Sequence, residues 1–322
     1  MSPSSLGTNI GTFVNQTDNP KPFVSVVIPT RARREMLRIC IESLLCQDYP
    51  RDRYEVIVVE DGTSDGAGVV EELTPKSSVP LRYLQIAHSG AATARNVGLA
   101  HSNADIVAFI DDDGQATREW ISELVKPLLQ EGVAGSGGRV SPEYPDALLR
   151  AQVSSDGDVK WSGFNVVVPE PQEVDFVAGG NMAFWRKYLV EVEGLDAGFT
   201  RRGSWREDTD LHIRLRKKGY RHIYNWRAQI GHRAARWLNP VERLRPGLVW
   251  AMTRDDAYFR TKNFGWAGAA GAMRANAIDI KSRIVYGVAN FALVFVHMFA
   301  WIPGVWQGLR KKNRGLGTLF NP

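Results

Sequence analysis

The chain has 322 residues, 44% of them hydrophobic, enough for one large α/β domain with a C-terminal extension or for two domains. Its +5 charge and pI near 9.2 are mildly basic, with the excess in Arg201-Arg202, Arg214 to Lys218, Arg233 to Arg245 and Arg310 to Arg314. That balance suits anionic membrane surfaces or phosphorylated substrates, and the lack of a recognised binding module argues against nucleic acid.

Residues 1–22 are polar, without an apolar run, and read as a disordered lead-in with no signal peptide. Phe23 to Ile28 is an apolar strand ended by Pro29-Thr30. Arg34 to Cys46 has the apolar spacing of an amphipathic helix. Its two cysteines, Cys40 and Cys46, have no His or Cys partner nearby and are expected to be reduced core residues, which suits a reducing compartment. Tyr54 to Val59 is a second strand, closed by Glu60-Asp61-Gly62-Thr63-Ser64-Asp65, a run with turn and helix-capping side chains. A helix through Val69 to Leu73 leads to the strand Leu81 to Ile86, and Gly90 to Ala100 reads as a helix.

The next strand, Asp105 to Ile110, runs directly into Asp111-Asp112-Asp113. Side chains of an extended chain alternate, so Asp111 and Asp113 point the same way at the strand's carboxyl end. Two like charges on one side call for a cation between them, and hard oxygen ligands suit Mg²⁺ or Mn²⁺ carrying a phosphate. Arg118 to Leu129 is a helix and Val133 to Val140 a strand. Strands alternating with helices predict a mostly parallel, Rossmann-like sheet flanked by helices. Ligands of such sheets bind beyond the strands' carboxyl ends, where both Glu60-Asp61 and Asp111 to Asp113 lie. Ser141 to Glu173 is loop-rich. Val174 to Val177, a Gly179-Gly180-Asn181 turn and a helix from Trp185 to Glu193 follow. A second acidic cluster, Glu207-Asp208-Thr209-Asp210, opens a helix that ends in Arg216-Lys217-Lys218-Gly219, with charges that complement the helix dipole.

Seven stretches in order resemble family 2 of the glycosyltransferases, which have the GT-A fold. They are Val24-Ser-Val-Val-Ile-Pro-Thr30, Val58-Val-Glu-Asp-Gly-Thr-Ser-Asp65, Ala94-Arg-Asn-Val-Gly98, Phe109-Ile-Asp-Asp-Asp113, Gly179-Gly-Asn-Met-Ala-Phe184, Gly194-Leu-Asp196 and Arg206-Glu-Asp-Thr-Asp-Leu211. The resemblance spans about Val24 to His232. It implies a nucleotide-sugar donor whose base meets Glu60 and Asp61 and whose ribose meets Asp111. Arg95 would lie near the diphosphate, with Thr30, Asp112, Gly180 and Asn181 also on the donor side. Asp113 would bind the divalent metal (Mn²⁺ or Mg²⁺) beside Asp111, His232 would complete the metal site, and Asp208 would be the catalytic base of an inverting reaction. Glu207, Arg233, Arg236 and Trp237 fall on the acceptor side. The acceptor is expected to be a hydroxyl of a lipid-linked or cell-envelope glycan.

The chemistry of the residues agrees with these roles. Expelling a nucleoside diphosphate needs an electrophile for its developing charge, and a hydroxyl needs a carboxylate to take its proton. Asp208, with Leu211 and Leu215 three and seven positions on, shares an inward helix face. Glu207 and Asp210 otherwise read as helix-start charges. Two departures stand out. Glu60 is a methylene longer than the family's usual Asp. Arg233-Ala-Ala-Arg236-Trp237 resembles the Gln-x-x-Arg-Trp of processive synthases, but begins with Arg and comes without their multi-helix channel. The alternatives are a sugar-nucleotidyltransferase, whose Gly-rich loop is absent from Pro29-Thr30-Arg31-Ala32-Arg33, and a non-catalytic membrane-associated scaffold of the same fold.

The expected organisation is therefore the lead-in (1–22), a GT-A catalytic domain (23–240) and a helical, membrane-associated region (241–322). From Ile284 to Leu309 there are 26 residues without an Asp, Glu, Lys or Arg. Basic residues flank them, and Asn290, His297, Gln307 and Pro303-Gly304 interrupt them. The run is long enough to span a bilayer, with a soluble packing helix or an in-plane amphipathic hairpin as the alternatives, and the expectation is a catalytic domain held on the cytoplasmic face of a membrane.

Overall fold

A computed structural model describes residues 21–141, 149–162, 164–199, 206–232, 246–285 and 291–310. The expected lead-in up to residue 20 and the Arg233, Arg236 and Trp237 group lie outside these residues.

The first half alternates as expected. Strands β1 (Val24–Thr30), β2 (Tyr54–Asp61), β3 (Leu81–Ile86) and β4 (Ile106–Ile110) are interleaved with helices α1 (Arg34–Leu45), α2 (Ala67–Leu73) and α3 (Ala91–His101). The strands pair in parallel in the order β3-β2-β1-β4. Both faces are covered, which is why these strands are near-continuous apolar runs. Val24, Val26, Ile28, Val56 and Val58 pack on one side against Leu37, Ile41 and Leu44 of α1. Val27, Ile57, Val59, Val107 and Phe109 pack on the other, against Ala94, Val97 and Leu99 of α3. Cys40 is in the first of these cores, whereas Cys46 closes α1 at the surface; the expectation of two core cysteines holds only for Cys40.

The second half departs from the parallel expectation. After β5 (Gly114–Ala116) come α4 (Trp120–Leu128), β6 (Val133–Ser141), the β7–β8 hairpin (Arg150–Val153 with Val159–Ser162) and β9 (Gln172–Val174). Then follow β10 (Asn181–Trp185), α5 (Arg186–Glu191), α6 (Glu207–Arg216) and β11 (Arg221–His232). Strand β10 inserts antiparallel between β4 and β6, and β11 pairs in parallel with β6 but antiparallel with β5 and β9. The sheet of the described residues is thus mixed. Strand β11 slips against β6 between Asn225↔Gly138 and Ile230↔Val140, five residues matched to two. The bulged backbone at Ala228 crowds Gly138, leaving no room for a Cβ there. Beyond this bulge, His232 pairs with Gly114, next to the Asp111 to Asp113 run.

Two long helices close the described chain, α7 (Pro246–Val285) and α8 (Phe291–Leu309). Helix α7 is broken at Gly265, whose φ of 59° with ψ of −134° is open to glycine at little cost. Gly268 then comes back against the Arg260 carbonyl, so the second part of α7 folds onto the first. Helix α8 lies against that first part, with Gly304 close to Tyr258 and Gly308 to Thr261. Among the described residues no helix is long and apolar enough to cross a membrane.

Helix α7 is bolted to α6 by buried charge. Lys262 Nζ donates to Asp196 Oδ2 at 2.6 Å and to Asp210 Oδ2 at 2.9 Å, while Arg214 Nε reaches the same Asp210 oxygen at 2.8 Å and Asn263 Nδ2 its Oδ1 at 2.7 Å. Tyr258 donates its hydroxyl to Asp196. Asp210 is fully buried; against the cost of that burial, Lys262 and Arg214 hold its carboxyl down at about 2. The network extends the helix-start role expected of Asp210. Lys262→Met would leave two buried carboxylates short of a cation, and should cost about 3–5 kcal/mol of folding free energy in urea denaturation. An unchanged midpoint would mean that α7 does not rest on this bridge.

Candidate active site

The parallel strands end together. Thr30 pairs with Glu60 and Val27 with Phe109, so Thr30, Asp61 and Asp111 to Asp113 share the carboxyl edge of the sheet. A cleft of roughly 360 Å³ opens there, lined by Thr30, Arg31, Arg33, Asp61, His88, Arg95, Asp111, Asp112, Asp113, Glu207 and His232. Gly90, which starts α3 with φ 95°, and Ala91 and Ala94 form part of its wall.

Asp61 holds the loop before α3. It accepts from the Ser89 and Gly90 N–H groups and from His88 Nδ1 at 2.8 Å. Because Arg31 Nη1 donates to His88 Nε2 at 2.9 Å, the His88 proton must sit on Nδ1. Three donors leave about one of the carboxylate's four acceptor positions for a ligand. Glu60 has none. It is 1% exposed and accepts from Thr63 Oγ1, Asp65 N, Gly66 N and Tyr83 OH, and it does not line the cleft. The expected base contact of Glu60 is therefore corrected to a turn-forming role, for which its extra methylene gives the reach. Asn181 is corrected in the same way. It is fully buried, accepts from Trp120 Nε1 and donates to the Arg139 and Ala228 carbonyls, so it fixes β10 to the β11 bulge.

The Gly179-Gly180 loop closes on the carboxylates. A Cβ on Gly180 would lie 2.5 Å from Asp111 Oδ2, and one on Gly179 2.8 Å from Asp208 Oδ2. Gly179 N also donates to Asp208 Oδ2 at 3.0 Å, and Thr209 N to Asp208 Oδ1 at 2.6 Å. Asp208 is half-buried beside the cleft wall, while its neighbour Glu207 reaches the wall itself. His212, neutral because burial pushes it to about 4, ties this turn down, with Nδ1 on the Asp208 carbonyl and Nε2 accepting from Val177 N at 3.4 Å.

Arg95 is the hinge of the charge arrangement. Only 4% exposed, it donates through Nη2 to Asp111 Oδ1 at 2.8 Å and through Nη1 to Glu207 Oε1 at 3.0 Å. Burial first, and then the Asp208 charge, push the Glu207 carboxyl up to about 8 against the pull of Arg95. Glu207 is thus a weaker acid than a free carboxyl, while Arg95 pairs with it and with Asp111.

Asp112 and Asp113 are each 4% exposed. The turn into β5 folds both residues inward. Asp112 accepts from Thr30 Oγ1 and Arg33 Nη1, both at 2.8 Å, and burial raises it to about 6 despite them. Asp113 Oδ2 accepts from Arg33 Nη1 at 2.9 Å. His232 Nε2 lies 3.3 Å from Asp113 Oδ1 without hydrogen-bond alignment, so among the described residues that buried oxygen has no hydrogen-bond partner. Among the described residues no three His, Cys, Asp or Glu side chains form a ready-made metal cage. A divalent ion that keeps waters and substrate phosphates needs only one or two carboxylates. The orphaned Asp113 oxygen beside an imidazole, with Asp111 on the same wall, fits that requirement.

Sequence reasoning missed Arg33, Arg31, His88 and His212. The first two stand in the turn after β1, a position that faces the ligand edge in any such sheet. The histidines carried no local signal.

The mixed sheet with its acidic carboxyl edge has the GT-A fold. Two solved structures superpose on it: a mannosyltransferase of Pyrobaculum calidifontis, in complex with GDP-Man and Mn²⁺, has a TM-score of 0.55 at 17% identity, covering 91% of this chain and 88% of that one. GalNAc-T7 with UDP, GalNAc and Mn²⁺ has a TM-score of 0.56 at 16% identity, covering 67% and 44%. The chain belongs to glycosyl transferase family 2, whose profile matches residues 25–192, just over half its length. Among curated relatives, glycosyltransferase AglE of Haloferax volcanii is 34% identical over 135 residues, 41% of this chain and 43% of that protein. The probable glycosyltransferase YdaM of Bacillus subtilis is 29% identical over 224 residues, 65% and 50%. A glucosyl-dolichyl phosphate glucuronosyltransferase of Haloferax volcanii is 28% identical over 223 residues, 65% and 69%. The chain thus spans about half the length of the first two. Membership of that family argues against the nucleotidyltransferase alternative.

The Glu207 carboxyl, raised in the folded protein above its unfolded value, favours folding at acid pH and loses that advantage as pH rises. The stability of wild type relative to Glu207→Gln should therefore fall between about pH 4.5 and 8. Paired urea melts across that window check it; a flat difference would place an ionised glutamate against Arg95.

Proposed function

We propose that the protein is an inverting, metal-dependent transferase that moves a sugar from a nucleotide-sugar to a hydroxyl of a lipid-linked or envelope glycan. The observation that carries this is the meeting of Asp61, Arg95, Asp111, Asp113 and the Glu207-Asp208 turn at one cleft edge. The Mn²⁺ and nucleotide ligands of the two structural neighbours support the donor class, and the dolichyl-phosphate relative supports a lipid-linked acceptor.

In this reading Asp61 has an acceptor position left for the nucleobase, and the start of α3 faces the diphosphate with its N–H groups and dipole. Asp113, with His232 and Asp111, would hold a divalent cation, which when bound supplies Lewis-acid stabilisation to the departing diphosphate. Arg95 keeps Asp111 oriented and adds positive charge at the same edge. Asp208 Oδ2, steadied by Gly179 N, takes the proton of the acceptor hydroxyl as its oxygen bonds to the anomeric carbon and the bond to the diphosphate breaks. A single displacement of this kind inverts the anomeric centre.

Nucleoside diphosphate release from UDP-, GDP- and dTDP-sugars, with Mn²⁺ or with EDTA, tests the reading. One donor should support turnover, chelation should stop it, and Asp208→Asn should lower it about a hundredfold or more with little change in donor binding. Turnover in EDTA or a retained anomer in product NMR would overturn it.

The membrane reading takes a narrower form. On α8, Phe299, Ile302, Trp306 and Leu309 are 39–57% exposed and, at spacings of three and four, share one face. Arg310 stacks on Trp306 at 3.7 Å, and Lys311, Lys312 and Arg314 follow in sequence. An apolar stripe rimmed by basic residues suits an in-plane contact with an anionic lipid surface at the cytoplasmic face. The protein should sediment with vesicles containing anionic lipid, and Ile302→Glu with Trp306→Glu should release it. Equal sedimentation of both proteins would remove the stripe from the account.

A further inference from the structure

The cleft contains two arginines held in opposite ways. Arg95 is 4% exposed, with one nitrogen on each of two carboxylates that belong to different elements. Arg33 is 38% exposed at its side chain and uses a single nitrogen, Nη1, which it divides between Asp112 Oδ1 and Asp113 Oδ2. Among the described residues its Nη2 and Nε make no hydrogen bond. It reaches the carboxylates through a turn in which Ala32 takes a left-handed φ of 52°, a conformation disfavoured for any residue with a Cβ. Such an outlier persists where the surroundings hold it, and here its effect is to aim the next side chain into the cleft.

The carboxylate that Arg33 occupies is the one best suited to a cation. Asp113 is buried, its Oδ1 has no hydrogen-bond partner among the described residues, and His232 lies 3.3 Å from that oxygen. A guanidinium on Oδ2 and a divalent ion on the same carboxylate would repel each other at contact distance in a site of low dielectric. Leaving Asp112 and Asp113 without either would strand two buried negative charges side by side. One cation therefore has to replace the other.

Resting on the nucleotide-sugar reading above, we propose that Arg33 is an exchangeable counter-ion. In the donor-free protein it neutralises Asp113. When a divalent cation arrives with a nucleoside diphosphate, Arg33 gives up Asp113 to the cation and turns its fork to the diphosphate oxygens. The exchange makes metal and nucleotide binding mutually dependent. Metal alone must displace Arg33 into water, whereas metal with nucleotide offers the guanidinium a bidentate anionic partner in return. Free metal ions would then leave the site in its resting state, and the donor complex would be the species that fills it.

The test is Mn²⁺ binding, followed by electron paramagnetic resonance and calorimetry with and without UDP or GDP, on wild type, Arg33→Gln and Arg33→Lys. Arg33→Gln should bind Mn²⁺ alone about tenfold more tightly than wild type and the nucleotide more weakly, so that the mutual enhancement collapses. Arg33→Lys, which keeps the charge but not the fork, should fall between them and serves if the glutamine variant folds poorly. A merely structural Arg33 predicts the reverse, a lower melting temperature with Mn²⁺ affinity unchanged or weakened, and that result overturns the exchange. If wild type binds Mn²⁺ with nucleotide but the variants leave the coupling intact, the exchange fails and the donor reading stands. If no protein binds Mn²⁺ under any condition, both fail together.

Discussion

Beside Asp61, five further carboxylates crowd one edge of the sheet, and the charge arrangement there follows from holding them against their mutual repulsion. Asp111, Asp112 and Asp113 come from the end of β4, Glu207 and Asp208 from the start of α6. The protein answers the crowding in three ways. Arg95 bridges the two groups, Arg33 covers Asp112 and Asp113, and burial makes Glu207 harder to ionise. Backbone N–H groups of the second glycine-bearing loop and of Thr209 hold Asp208 without adding charge. Asp208 is therefore held in place by hydrogen-bond donors on both of its oxygens.

The same constraint joins the two halves of the sheet. The parallel half supplies Asp61 and the three aspartates, and the mixed half supplies the glycine loop, α6 and His232. Neither half contains a site by itself. Strand β10, antiparallel between β4 and β6, brings Gly180 against Asp111, and the bulge in β11 lets a strand that runs parallel to β6 turn back along β5 with His232 at its tip. The glycines of β6 are the counterpart of that geometry, since Gly138 admits the bulged backbone where any side chain would block it.

How much of this could be read from the sequence follows from how local each signal is. The buried parallel strands and the carboxylates at their ends were legible because hydrophobic runs and turn residues record them within a few positions. In the mixed half the strand at Val133 to Val140 and the helices after Trp185 and Arg206 were legible, but the antiparallel pairing was not. Residues 133–141 carry four small residues, Ala134, Gly135, Gly137 and Gly138, whose purpose is to let other chains approach, and no periodicity in them says which. Strand β11 went unread because its bulge breaks the alternation that would identify it. The roles first given to Glu60 and Asn181 came from the family pattern. Their internal hydrogen bonds depend on Tyr83, Trp120 and Ala228, partners far along the chain that no window contains. Arg33 was passed over because an arginine in a turn is ordinary until Asp112 and Asp113 are seen to be buried beneath it.

The C-terminal helices are part of this machinery, not an appendage to it. The sequence suggested a boundary near residue 240, with catalysis on one side and attachment on the other. Yet Asp210, two residues beyond Asp208 on the same helix turn, takes its charge balance from Lys262 of α7, and Arg206, one residue before Glu207 with a left-handed φ of 78°, is paired with Asp256 of α7 at 3.1 Å. Both ends of the turn that carries Glu207 and Asp208 are thus fixed by α7. Helix α8 in turn packs its glycines on α7 and sends Gln307 Nε2 to the Gly198 carbonyl, next to the Asp196 that Lys262 also holds. A force on the exposed face of α8 would pass through close-packed helices and buried ion pairs, which have little compliance, to the turn that carries Glu207 and Asp208. An acceptor embedded in a lipid surface would therefore meet a catalytic turn whose distance from that surface is set by rigid parts, whereas a flexible tether would leave that distance undetermined.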